Sequence, residues 1–164
     1  MTDMALLIAQ AVVTGCMAAW MVTGVFDNWR HPHLNLSAVA MVTRFDRMAE
    51  DFPQDFEVVK HRRVSDMRVI RGLFYLLVAW ETVAAITLVG GTVALVMALG
   101  GAVDVELARL LAVLGALAFT VNWAGFLAGG NYFCYWYCHF AGQATHFMLL
   151  IWGILGTILL VIPG

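Results

Sequence analysis

The apolar runs limit this chain more than any other feature. Met4 to Phe26, Gly72 to Leu99, Leu110 to Ala128 and Phe140 to Ile162 contain a single Asp, Glu, Lys or Arg between them, Glu81. Each is long enough, at about 1.5 Å per helical residue, to cross about 30 Å of hydrocarbon. Backbone groups in lipid must satisfy one another, and an unbroken apolar run does this as a helix. Hydrophobic residues make up 62% of the 164 positions and charged residues 12%, a balance that excludes an ordinary soluble domain. The expected fold is all-α: an integral membrane four-helix up-and-down bundle, one membrane domain over residues 1–164. The first run has no Lys or Arg before it and is too long for the apolar part of a cleaved signal, so it is expected to stay as a helix.

Helices in lipid associate where small residues let their backbones approach. Ala112, Ala116, Thr120, Ala124 and Ala128 recur at every fourth position of the third run, and Ala11, Gly15, Ala19 and Thr23 do so in the first. These stripes imply helix packing, with some surface left for a partner protein or for self-association. Cys16, mid-span, reads as a packing residue.

Alternation through four spans puts the two longer connections on one face of the membrane, here side B, and the Gly100 to Arg109 connection and both termini on side A. The first connection, Asp27 to Arg71, contains Arg30, Arg44, Arg47, Lys60, Arg62, Arg63, Arg68 and Arg71, eight of the nine basic residues. The positive-inside rule therefore puts side B, with loops 27–71 and 129–139, in the cytoplasm and both termini outside. Within the first connection, Ala38, Met41, Val42, Phe45, Met48, Ala49 and Phe52 recur at helical spacing opposite Arg44, Arg47, Glu50 and Asp51. This predicts one amphipathic helix, capped by Asn35 or Ser37 and stopped at Pro53, lying on the bilayer surface or the end of the bundle.

Three polar residues fall inside the spans on the side B half: Glu81, Asn122 and His146. Counted from the ends of their apolar runs they lie at similar depth, about 9 to 14 Å below the surface. A carboxylate there costs about 2.5 kcal/mol or more unless it is partnered, so Glu81 is expected to face the bundle interior beside Asn122 and His146. As a structural element this cluster is an interhelical hydrogen-bond clasp; as a functional one it is a proton relay, or a pocket for a lipid headgroup or a quinone.

The stretch GGNYFCYWYCHFAGQ, Gly129 to Gln143, joins the last two spans. Its rings suit the aromatic belt of a membrane interface, with Asn131, Tyr132, Trp136 and Gln143 as the interfacial set. Cys134, Cys138 and His139 are the candidates for a soft metal site, zinc or copper, and paired histidines for haem; the cysteine spacing is wider than in common zinc motifs. The economical expectation is no cofactor. No phosphate-binding glycine loop, nucleophile–base pair or basic aromatic surface for nucleic acid occurs in the sequence, which argues against an enzyme and against nucleic-acid partners.

GGNYFCYWY with the following Gly142–Gln143 pair, Glu81 in WETVAAITLVGG, and Asp46 to Pro53 of MVTRFDRMAEDFPQ together resemble the bacterial predicted small integral membrane proteins of domain-of-unknown-function family 2165. The resemblance spans all four helices. Asn131 and Tyr132 replace the family's usual Glu and Trp, and Met41 replaces a His. It implies the fold and a bacterial inner-membrane setting, it puts the family's equivalent of side B outside the cytoplasm, and it carries no mechanism. The expected function is that of an accessory or structural subunit of a larger membrane complex. The alternative is a small binding or transport protein with a polar pocket around Glu81.

Overall fold

A computed structural model describes residues 3–163. In chain order they form α1 (Asp3–Arg30), α2 (Pro32–Thr43), α3 (Asp46–Asp51), α4 (Pro53–Val59), a single 3-10 turn (Lys60–Arg62), α5 (Met67–Leu99), α6 (Val105–Tyr132), α7 (Tyr135–Cys138) and α8 (Phe140–Val161), with no strand among the described residues. α1, α5, α6 and α8 are the four helices long and apolar enough to span a membrane. Side-chain caps mark where α5 and α6 begin. The Asp66 carboxylate accepts from Arg68 N at 2.7 Å and starts α5, and Asp104 accepts from Leu107 N at 3.0 Å and starts α6. Gly101, at φ +72°, ends α5: its N–H and that of Ala102 return to the carbonyls of Ala98 and Met97, a left-handed closure that favours glycine.

The spans pack in sequence order, α5 against α1 and α6, and α6 against α8. The seam between α1 and α8 is wider and is bridged by long side chains: Trp20 meets Trp152 edge-on at 6.5 Å, and Gln10 Nε2 donates to Leu159 O at 2.9 Å. The core is built from Met17, Leu88, Leu95, Ala108, Ala112, Ala116 and Phe119, all fully buried. Leu76, Ile86, Leu114, Val121 and Ile154 stand outward, where lipid receives them.

Small residues set the closest approach. A Cβ on Gly91 would lie 2.5 Å from Ala112 Cα, and one on Gly115 would lie 2.9 Å from Leu88 Cα. Gly153 fits in the same way against Thr120 and Phe119. The two small-residue stripes are used by halves. Ala11, Ala112 and Ala116 are buried at the side A end, whereas Ala19, Thr23, Ala124 and Ala128 are exposed toward side B. Cys16 is exposed on the outer surface of α1 and is not a packing residue.

The helices overrun the apolar segments. α1 continues to Arg30, α5 begins at Met67, and α6 runs from Val105 to Tyr132, so Arg109 belongs to a span and not to a loop. The expected amphipathic helix is broken in two. Phe45 is left-handed at φ 56° between α2 and α3, and this strain of roughly 1 kcal/mol or more is offset by burying its ring against Phe56 and Phe133 at 6.2 and 5.9 Å. Neither expected cap forms. α2 starts at Pro32 after His31, which supplies no side-chain cap, while Asn35 donates to Asn28 and Ser37 donates to Leu34 O.

Candidate functional site

Two groups of polar residues occupy the side B half. The first centres on Glu81, which is 8% exposed. Asn35 Nδ2 on α2 donates to Asn28 Oδ1 at 2.6 Å, and Asn28 Nδ2, at the end of α1, donates to Glu81 Oε2 at 2.8 Å on α5. The amide orientation follows from the order of donors and acceptors. Asn122, 4% exposed on α6, faces the same carboxylate, although its Nδ2 makes no hydrogen bond of its own. The Glu81 carboxyl is thus held directly from α1, and through Asn28 from α2. Beside it, Trp29 Nε1 donates to Thr82 Oγ1 at 3.0 Å and ties α1 to α5 a second time.

His146 is not part of this group, contrary to the expectation from depth. It lies among rings, 4.8 Å from Phe126, 5.6 Å from Trp123 and 5.7 Å from Tyr135, and its buried Nδ1 has no partner among the described residues. The reason is the true length of the helices. Measured from the end of its own helix, Glu81 lies about 21 Å along α5 and Asn122 about 15 Å along α6, whereas His146 lies only about 9 Å along α8. His146 therefore meets the level of Trp123 and Phe126 and leaves Glu81 deeper. Asn28 and Asn35, the actual partners of Glu81, fall beyond the apolar run of the first span, where hydropathy carries no signal.

The second group is where the two side B connections fold onto each other. Tyr137 Oη donates to Asp55 Oδ2 at 2.6 Å, Phe52 packs edge-on against Tyr137 at 4.8 Å, and Arg62 donates to Tyr132 O at 3.2 Å with its guanidinium over the Tyr132 ring. The hydrogen bond to Asp55 holds the Tyr137 hydroxyl above its ordinary pKa. Tyr132 and Trp136 remain about half exposed, as interfacial residues should, and Asn131 is exposed as well. Gln143 turns inward: its Oε1 is buried and unpartnered, and a Cβ on Gly130 would lie 2.7 Å from it. A Cβ on Gly142 would collide with the Tyr135 hydroxyl. The glycines around this segment therefore make room for Gln143 and Tyr135 between the ends of α6 and α8.

Cys134, Cys138 and His139 line one small cavity with Arg47, Phe45 and Phe133, a space about the size of a water molecule. Among the described residues no three His, Cys, Asp or Glu side chains converge as a metal-holding group. Burial raises the Cys138 thiol above its ordinary pKa, and burial together with Arg47 lowers that of His139. The thiol therefore stays protonated at neutral pH, and a metal would have to displace that proton. Cys134, left-handed at φ 52°, precedes α7 and lets the chain reverse.

Together these features define an all-α, four-span integral membrane protein whose side B connections form a folded cap. The chain belongs to the family described as predicted small integral membrane protein (DUF2165), whose model matches residues 6–163. Nothing among curated proteins or solved structures matches it.

Proposed function

We propose that this protein is a non-catalytic accessory or structural subunit of a larger complex in the bacterial inner membrane. The observation that carries this reading is the half-used stripe. Ala19 and Thr23 on α1, and Ala124 and Ala128 on α6, are exposed at membrane depth after the bundle has buried the other half of each series. Lipid gains little from small residues, whereas a neighbouring helix gains close contact. Extraction in mild detergent is expected to yield the protein with a partner, or as an oligomer. Ala124→Leu should release the associated chain and leave the far-UV spectrum unchanged. A strictly monomeric species with nothing bound would overturn the proposal.

A second reading, a small binding or transport protein, has one observation in its favour. Asn122 Nδ2, Trp123 Nε1, Gln143 Oε1 and His146 Nδ1 are all buried without partners, and all lie on the side B halves of α6 and α8. Water, a quinone or a lipid headgroup would satisfy them. Stoichiometric quinone or lipid lost on Glu81→Gln would favour this reading over the first.

The same proposal puts side B in the cytoplasm, because eight of the nine basic residues lie there. The exposed Ser65 reports on it. A Ser65→Cys variant with the three native cysteines replaced is expected to react with a membrane-impermeant thiol reagent only after lysis. Labelling in intact cells would reverse the orientation.

A further inference from the structure

At the side A end, α6 and the end of α8 enclose an open groove of about 730 Å³, within the range of small-ligand sites, roughly 300–1,000 Å³. Leu110 and Val113 form one wall, and Leu160 and Val161 the other. The rim carries two charges, Glu106 and Arg109, whose Oε1 and Nη1 lie 3.1 Å apart. They are unequally exposed: the Arg109 side chain is 12% exposed and that of Glu106 is 82% exposed, so the guanidinium is recessed and the carboxylate projects. Arg109 is also held from behind. Its Nε donates to Gln10 Oε1 at 3.1 Å, and Gln10, fully buried, is anchored through Nε2 to Leu159 O. Nη2 makes no hydrogen bond to another described residue. A buried amide thus fixes a guanidinium whose free edge lies in a groove with apolar walls, about 7.5 Å along α6 from its Asp104 cap, near the level of lipid phosphates.

We propose that this groove binds one zwitterionic aminophospholipid, with its phosphate on Arg109, its primary ammonium on Glu106 and its acyl chains along Leu110 and Val113 of α6. Charge complementarity selects this occupant. The Glu106–Arg109 pair has no net charge, so an anionic lipid would gain the guanidinium but face the carboxylate. A zwitterion satisfies both, and a primary ammonium donates hydrogen bonds to the carboxylate where a quaternary one has no N–H to give. This site lies at the opposite end of the bundle from the cap and the Glu81 group, so it stands or falls independently of the subunit reading.

The test is lipid retention. The protein is equilibrated in nanodiscs containing equal parts phosphatidylethanolamine, phosphatidylcholine and phosphatidylglycerol, released into detergent and weighed by native mass spectrometry. One retained phosphatidylethanolamine per chain is expected. Arg109→Gln should lower retention about tenfold, the loss of one charge-assisted contact. Glu106→Gln changes an exposed residue and leaves the fold intact. It should abolish the preference for phosphatidylethanolamine over phosphatidylcholine while phospholipid is still retained. Retention without headgroup preference, preference for phosphatidylglycerol, or a preference unchanged in Glu106→Gln would each overturn the proposal.

Discussion

Gly91→Leu is expected to separate α5 from α6 and to destabilise the bundle by about 3 kcal/mol or more, the upper end of overpacking effects. The cause is the absence of anything that can move. The new Cβ would lie 2.5 Å from Ala112 Cα and 2.9 Å from Ala112 N, both backbone atoms of a helix packed on its other side against α8. Gly115→Val makes the same collision from the opposite helix, against Leu88 Cα and N at 2.9 Å. The neighbouring Gly90 is the control, because nothing lies within 4 Å of its Cβ position and it is exposed. Gly90→Leu should be neutral or slightly stabilising, since leucine has the better helix propensity. Reversible unfolding in mixed micelles measures all three. Equal stability of Gly90→Leu and Gly91→Leu would mean that α5 and α6 do not meet at this register.

The contrast between Gly90 and Gly91 also marks where the sequence stops being informative. The four spans are legible because hydrophobic length is a property of the chain alone, and the small-residue series are legible because their spacing is that of a helix face. Which half of a series is buried depends on how far two helices diverge, and no local pattern encodes that. The same limit explains the cap. The periodicity from Ala38 to Phe52 is real, yet Phe45 adopts a left-handed conformation because its ring finds Phe56 and Phe133, and Phe133 is contributed by a segment far along the chain. Glu81 and Asn122 were identifiable because a polar side chain inside an apolar run must be partnered. His146 shares their depth in the apolar runs but not their level in the bundle, because α5 and α6 extend past their apolar runs on side B and α8 does not. Gln10, by contrast, lies in the first run and is fully buried. The same rule singles it out as needing partners, and these are Arg109 and the carbonyl of Leu159.

Asn28→Leu is expected to cost more than any change at Glu81 that preserves its shape. Removing the amide leaves Glu81 Oε2 without its 2.8 Å donor at a site 8% exposed, and it releases Asn35 from α1 as well. An unsatisfied buried group costs about 1–3 kcal/mol, and more when it is charged. Glu81→Gln keeps an oxygen to accept from Asn28 and carries no charge, so it should lie within about 1 kcal/mol of the parent. The double variant Asn28→Leu with Glu81→Leu removes both partners and should recover much of the loss of the single Asn28→Leu change, a coupling of about 1 kcal/mol or more. Additive effects would show that the two side chains do not act as a unit. The comparison also separates the two functional readings. Glutamine can hold the clasp together but cannot exchange a proton, so a stable Glu81→Gln protein that keeps its native associations fits a purely structural carboxylate. A stable one that loses a bound molecule or a proton-dependent activity assigns chemistry to Glu81 that its hydrogen bonds alone do not require.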